Sequence, residues 1–209
     1  MSALPSLRLS TGLSSLGMGL LAAACTSPVS PAEYQAYLND PSHGLTQTRE
    51  VNGTTITCSY RPTDLLVLQD LAQLPPTRLT SATRDSLRRT YAGKTYCSLA
   101  LSRNNAEVEA ALVTDPPAYQ RALSYLNTGI AADTFLATGQ DSVPALASMY
   151  LRQYGTTGHS TVLLVFATPQ PIQEQGFHLT WRGHQLNAGS QRFFFNAADL
   201  AAVPPLADH

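Results

Sequence analysis

From residue 45 onward the chain is organised by alternation of apolar and polar positions. Residues 45–51 and 54–60 read as two strands joined by Asn52-Gly53. Asn-Gly between strand-like runs is the strongest short hairpin signal, because both residues tolerate the positive φ of a type I′ turn. In the second run Ile56, Cys58 and Tyr60 share one face and Thr55, Thr57 and Ser59 the other, so one face is expected to be buried and one wet. Residues 94–103 repeat the pattern, with Cys97, Leu99 and Leu101 set against Tyr96, Ser98 and Ala100. Asn104-Asn105 then turns the chain into a short strand expected over 106–113. Phe177, Leu179 and Trp181 alternate with His178, Thr180 and Arg182, and Phe193-Phe194-Phe195 marks a last strand over 191–196. Residues 161–168 (TVLLVFAT) form an unbroken apolar run with a β-branched start, the pattern of a central strand. Residues 134–138 and 146–154 complete the strand candidates.

Helical spacing is confined to short stretches. Pro31 to Leu38 is a brief helix with Ser30 as cap, Pro31 in its first position and Glu33 placed to complete a capping box. Pro62 opens a second helix through Leu71, closed off by Pro75-Pro76, and Asp115 caps a third over 117–126. In 77–92, Arg84, Arg88 and Arg89 with Leu87 and Tyr91 read as a solvated helix face in preference to a basic helix on anionic headgroups. Many short strands with a few short helices predict a mainly β fold. An antiparallel β-sandwich is expected, with an open antiparallel α+β sheet as the alternative.

The first 28 residues follow another plan. Arg8 is their only charge, and Leu13, Leu16, Met18, Leu20, Leu21 and three alanines lead to Cys25. A basic start, a short apolar middle and small residues at the end make a secretory signal. Cysteine directly after Ala22-Ala23-Ala24 resembles a bacterial lipoprotein signal, although the family's box has Leu three before the Cys and Leu21 here is four before. That resemblance implies cleavage before Cys25 and acylation of its thiol and new amino group. The chain then divides into a signal peptide (1–24), a lipidated Cys with a tether (25–31) and one β-rich domain (32–209).

Further loose patterns spread over the mature chain. They are Tyr34 and Asn39 before Gly44-Leu45, Val51-Asn52-Gly53, Tyr60-Arg61-Pro62, 99–104, 163–166, and Phe195 with Asp199-Leu200 before Pro204. Together with the signal they resemble uncharacterised lipoproteins of Bacteroidota-type bacteria. The resemblance implies a place in the cell envelope, on the periplasmic or the surface side, and no particular activity.

Charge removes one class of function. Loss of Arg8 with the signal leaves 12 bases against 14 acids, which argues against nucleic acid as partner. Charged residues are 13% of the chain, half the usual share, so Thr, Ser, Gln and Asn must supply the polar surface. No run after Cys25 approaches the roughly 20 apolar residues of a spanning helix, so the chain is expected to be anchored to a membrane without crossing it. Cys58 and Cys97 remain as an even pair in a compartment that permits disulfides. Both should point into the core, either as a disulfide or as two small buried hydrophobes.

Chemistry leaves weaker traces. His178 and His184 are six apart, outside the usual spacing of zinc pairs, and read as surface histidines. Gly158-His159-Ser160 lacks the second glycine of a nucleophile elbow. Glu107 and Glu109 read as an edge charged against aggregation, with a glycosidase dyad as the alternative; Asp64, Asp70, Asp133 and Asp141 are further carboxylates. No catalytic residue, metal or cofactor is assigned. The expected function is a structural or interaction role for a lipid-anchored envelope protein, with an envelope protein or glycan as partner besides the membrane. Nine Tyr and one Trp on a Thr/Asn-rich chain support a carbohydrate- or peptide-binding surface as the alternative, ahead of a divergent hydrolase.

Overall fold

Alternation resolves into ten strands in the computed structural model, which describes residues 27–168 and 172–207. Cys25 and the signal lie outside the described residues. β1 (Thr46–Val51) and β2 (Thr54–Tyr60) are joined by Asn52 and Gly53 at φ 51° and 72°, the paired positive values of the tight hairpin turn. β3 (Lys94–Arg103) pairs along the other edge of β2, then turns through Asn104 and Asn105 into the two-residue β4 (Ala106–Glu107). The strand expected over 106–113 ends there. Glu109 is helical in backbone and is followed by a 3-10 turn over Ala110–Leu112, because its side chain bonds inward.

β5 (Thr134–Thr138), β6 (Asp141–Pro144), β7 (Ala147–Leu151), β8 (Ser160–Ala167), β9 (Phe177–Gly183) and β10 (Gly189–Phe195) complete the set. One sheet runs β1-β2-β3-β8-β7 with β4 on β3, the other β10-β9-β5-β6, and all neighbours are antiparallel. Both sheets face a single core: Ile56, Cys58, Leu99 and Leu101 from one side, Leu136, Leu179, Trp181 and Phe193 from the other. This is the sandwich arrangement. β8 lies between β3 and β7, as expected of a central strand. Its apolar run is nevertheless two-sided, since Val162, Leu164 and Phe166 are buried and Leu163 and Val165 only half-buried.

The sandwich is closed at both seams. At one, the chain passes from β6 to β7 over Ala145 and Leu146, whose N–H groups donate to Thr134 O (3.0 Å) and Val165 O (2.7 Å) in different sheets. At the other, Gln47 of β1 acts as a substitute strand residue. Its Nε2 donates to the Phe194 carbonyl and its Oε1 accepts from the Phe194 N–H at 3.3 Å. Asn52 Nδ2 adds a bond to Asn187 O at 2.9 Å, so β1 and β10 cover each other's outer edges.

Short helices fill the ends. α1 (Pro31–Asn39) has the expected capping box, with Ser30 N donating to Glu33 Oε2 (2.9 Å) and Glu33 N to Ser30 Oγ (3.4 Å). α2 (Thr63–Leu71) buries Leu65, Leu66 and Val67, and α3 (Ser81–Tyr91), which packs on it, buries none of its residues. α3 is thus the solvated helix its sequence suggests. α4 (Pro116–Ser124), capped by Asp115, runs on through a wide turn at Tyr125–Gly129 into α5 (Ile130–Ala132). α6 (Ile172–Gln175) precedes β9 and α7 (Ala197–Ala201) follows β10. Among the described residues no helix is long and apolar enough to cross a membrane.

Cys58 and Cys97 are fully buried, on the inner face as their alternation requires. The disulfide considered for them is not formed, and both thiols are free. Register gives the reason: Cys58 lies opposite Leu99 and Cys97 opposite Tyr60, so the two are diagonal neighbours. Diagonal positions are about 7–8 Å apart, beyond the roughly 7 Å a bridge can span. Burial pushes both thiols well above their ordinary value, which leaves them protonated at neutral pH. Alkylation without reductant should therefore label neither cysteine in the native protein and both in denaturant. A denatured, unreduced sample that stays unlabelled at both would show a bridge instead.

Candidate ligand-binding face

The outer side of the second sheet gathers the most chemistry. In β9, Phe177, Leu179 and Trp181 turn inward, which sends His178, Thr180 and Arg182 outward. β10 does the same with Phe193 and Phe195 inside and Arg192 and Phe194 outside. Register then sets these side chains in rows across four strands. Pro144, Phe135, Thr180 and Arg192 form one row, and Ser142, Ala137, His178 and Phe194 the next. A cleft of about 510 Å³ lies over the first row and over Ser142, Ala137 and His178 of the second, rimmed by Arg182 and by Gly139 and Gln140 of the β5–β6 turn; Phe194 lies outside its lining.

Its electrostatics are one-sided. The guanidinium of Arg182 sits 4.5 Å from the centre of the Phe135 ring, in cation–π range. His178 lies 5.6 Å from the Phe194 ring, and partial burial, then the charge of Arg192, holds it below its ordinary value. It is therefore mostly neutral at pH 7. None of the residues lining the cleft is acidic, and among the described residues Arg182 and Arg192 make no ion pair. Two planar cations beside the Phe135 and His178 rings can hold a carboxylate or other planar anion and pack its apolar body.

Trp181 supports this face from below. Fully buried, it donates from Nε1 to Tyr125 Oη at 3.0 Å, and Tyr125 donates in turn to Asp133 Oδ2 at 3.0 Å. The wide turn at 125–129 is what brings Tyr125 there. Gly183 lies flat on the indole, where an added Cβ would come within 2.8 Å of ring carbons. Arg182 is further fixed by its N–H, which donates to Asp133 O at 2.8 Å.

A second cleft, of about 550 Å³, lies between α1, α2 and the C-terminal segment, lined by Tyr34, Tyr60, Asp64, Arg88, Gln173 and Pro204 among others. Asp64 is ion-paired with Arg88 at 2.8 Å. Burial, then the Asp64 charge, pushes the Tyr34 phenol up, so it stays protonated near neutral pH. The cleft can hold a small polar ligand.

The carboxylates singled out by sequence are not gathered. Glu107 and Glu109 are buried, which corrects their reading as a charged edge. Glu109 turns inward, accepting from Ser160 Oγ at 2.5 Å and from the Tyr150 hydroxyl, while Ser160 Oγ accepts from Val108 N at 3.0 Å. Glu107 stands opposite Ser102, on the face away from inward Leu101, and one of its oxygens is buried with no hydrogen-bond partner among the described residues. Asp70 takes the Tyr91 hydroxyl, Asp133 the Tyr125 hydroxyl, and Asp141 is exposed on β6.

The histidines are equally dispersed. His184 is exposed in the turn after β9, and His43 stacks on Tyr37 with centroids 3.7 Å apart. Among the described residues no three His, Cys, Asp or Glu side chains are gathered as a metal site would require. Ser160 of Gly158-His159-Ser160 is fully buried, which is no place for a nucleophile. Arg192 and Phe135 are the site residues that sequence reading passed over. Their outward positions were legible in the alternation, but the register that aligns them was not.

Fold and face together describe an antiparallel β-sandwich with a basic, aromatic outer surface. The chain matches no family model, and no curated protein or solved structure is significantly similar to it.

Proposed function

We propose that the protein is a lipid-anchored, non-catalytic component of the bacterial cell envelope that uses the outer face of its second sheet to bind a carboxylate-bearing glycan. The observation that carries the ligand is the cleft over that sheet: two arginines that make no ion pair among the described residues, the rings of Phe135 and His178, and the polar Thr180, Ser142 and Gln140, with no acid in its lining. Guanidinium groups match carboxylates in geometry, and rings take the apolar faces of sugars. The anchor rests on the Cys25 pattern.

Titration with polygalacturonate and with neutral dextran of similar length tests it. Binding is expected for the acidic polymer alone. The double variant R182A/R192A should bind at least tenfold more weakly, about 1.4 kcal/mol, within the range of charged hydrogen bonds. Both side chains are exposed, so the fold should persist. Equal affinity for the two polymers, or an unchanged double variant, would overturn the reading.

A further inference from the structure

A smaller cavity of different chemistry lies where the tether joins the domain. Its volume is about 240 Å³ and its wall is formed mainly by Pro31, Leu68, Leu71, Ala72, Leu79 and Leu206. A cavity of about 150 Å³ suffices for an apolar guest the size of benzene. Leu79 is 51% exposed at the rim, an apolar side chain left open to solvent.

The chain before α1 is pinned to this wall. Val29 N donates to Pro205 O at 3.0 Å and Ala207 N to Val29 O at 2.9 Å, which pairs Val29 with Leu206. Four residues separate Cys25 from Val29, a length of chain that spans at most about 14 Å when fully extended. We propose that the groove holds one acyl chain of Cys25. This rests on the reading of Cys25 as the lipidated residue. The mainly apolar wall, with Thr80 and Arg84 also on it, suits methylenes, which need no hydrogen bonds.

The consequence concerns attachment. A single acyl chain holds a protein only marginally and reversibly, whereas two hold it lastingly. A chain kept in the groove is withdrawn from the bilayer, so groove occupancy sets how firmly the protein is held.

A photoreactive fatty acid tests the proposal. Host cells are grown on a diazirine-bearing fatty acid, and the full protein is purified into phosphatidylcholine vesicles, irradiated and mapped by mass spectrometry. Cross-links are expected on peptides carrying Leu68, Leu71, Leu79 or Leu206. They should fall at least fivefold in A72W, which fills the groove from an exposed position, and in L79N at its rim. Cross-links to vesicle lipid alone, or unchanged yields in both variants, overturn the groove while leaving the anchor standing. An intact mass without acyl groups on Cys25 removes the anchor and the proposal together, by a separate measurement.

Discussion

Replacing Trp181 by alanine should destabilise the domain by about 4 kcal/mol, the largest loss expected from any single substitution here. Trp181 is fully buried between the two sheets and is the largest side chain in the core. Its removal forfeits apolar burial and leaves a cavity that neighbouring β-strands, held by their ladders, cannot collapse to fill. It also leaves the Tyr125 hydroxyl without its indole donor. Tyr125→Phe separates the two contributions. That change keeps the ring but strips the indole N–H of its acceptor and Asp133 of its donor, at a cost of about 1–3 kcal/mol. Urea unfolding with an unchanged slope is the measurement. Equal midpoints for wild type and Trp181→Ala would mean that the second sheet does not pack as described.

Glu109→Ala should cost about 3 kcal/mol. Glu109 is 3% exposed and accepts from both Ser160 and Tyr150, so the substitution leaves two hydroxyls at the end of the core without an acceptor. A pairwise cycle with Ser160→Ala gives the sharper result. If the bond is as described, the double variant should lose less than the sum of the singles, with a coupling of about 0.5–3 kcal/mol. Additive losses would place Ser160 and Glu109 apart. Tyr150 offers a further check. Burial first, then the Glu109 bond and charge, pushes its phenol up, so its alkaline titration should move down in Glu109→Ala.

What sequence made legible was local. The Asn52-Gly53 turn, the capping box of Ser30 and Glu33, and the inward sides of β2, β3 and β9 follow from residue-to-residue geometry within a few positions. Pairing over long separations was not legible. Gln47 meets Phe194 across 147 residues, and nothing in either stretch marks the other. The same limit applies to the candidate face, where Arg192 joins Thr180 and Phe135 only through two strand registers. Glu107 and Glu109 misled for a related reason. Two acids at alternate positions suggest a wet edge, and the inward turn of Glu109 is fixed by Ser160 and Tyr150, more than 40 residues on.

The bridge between Val29 and Leu206 has a mechanical meaning. A pull delivered through the residues before Val29 reaches the domain at a point tied to both ends of the fold. Part of the load passes forward into α1 through the capped turn at Ser30, and part passes through Pro205 and Ala207 toward α7 and β10. β1 and β10 are also joined by Gln47, so the strained path closes into a loop around the sandwich and does not peel a single strand from its edge. Under tension, the first contacts to part should be the two backbone bonds at Val29, freeing a few residues ahead of α1 before either sheet is disturbed.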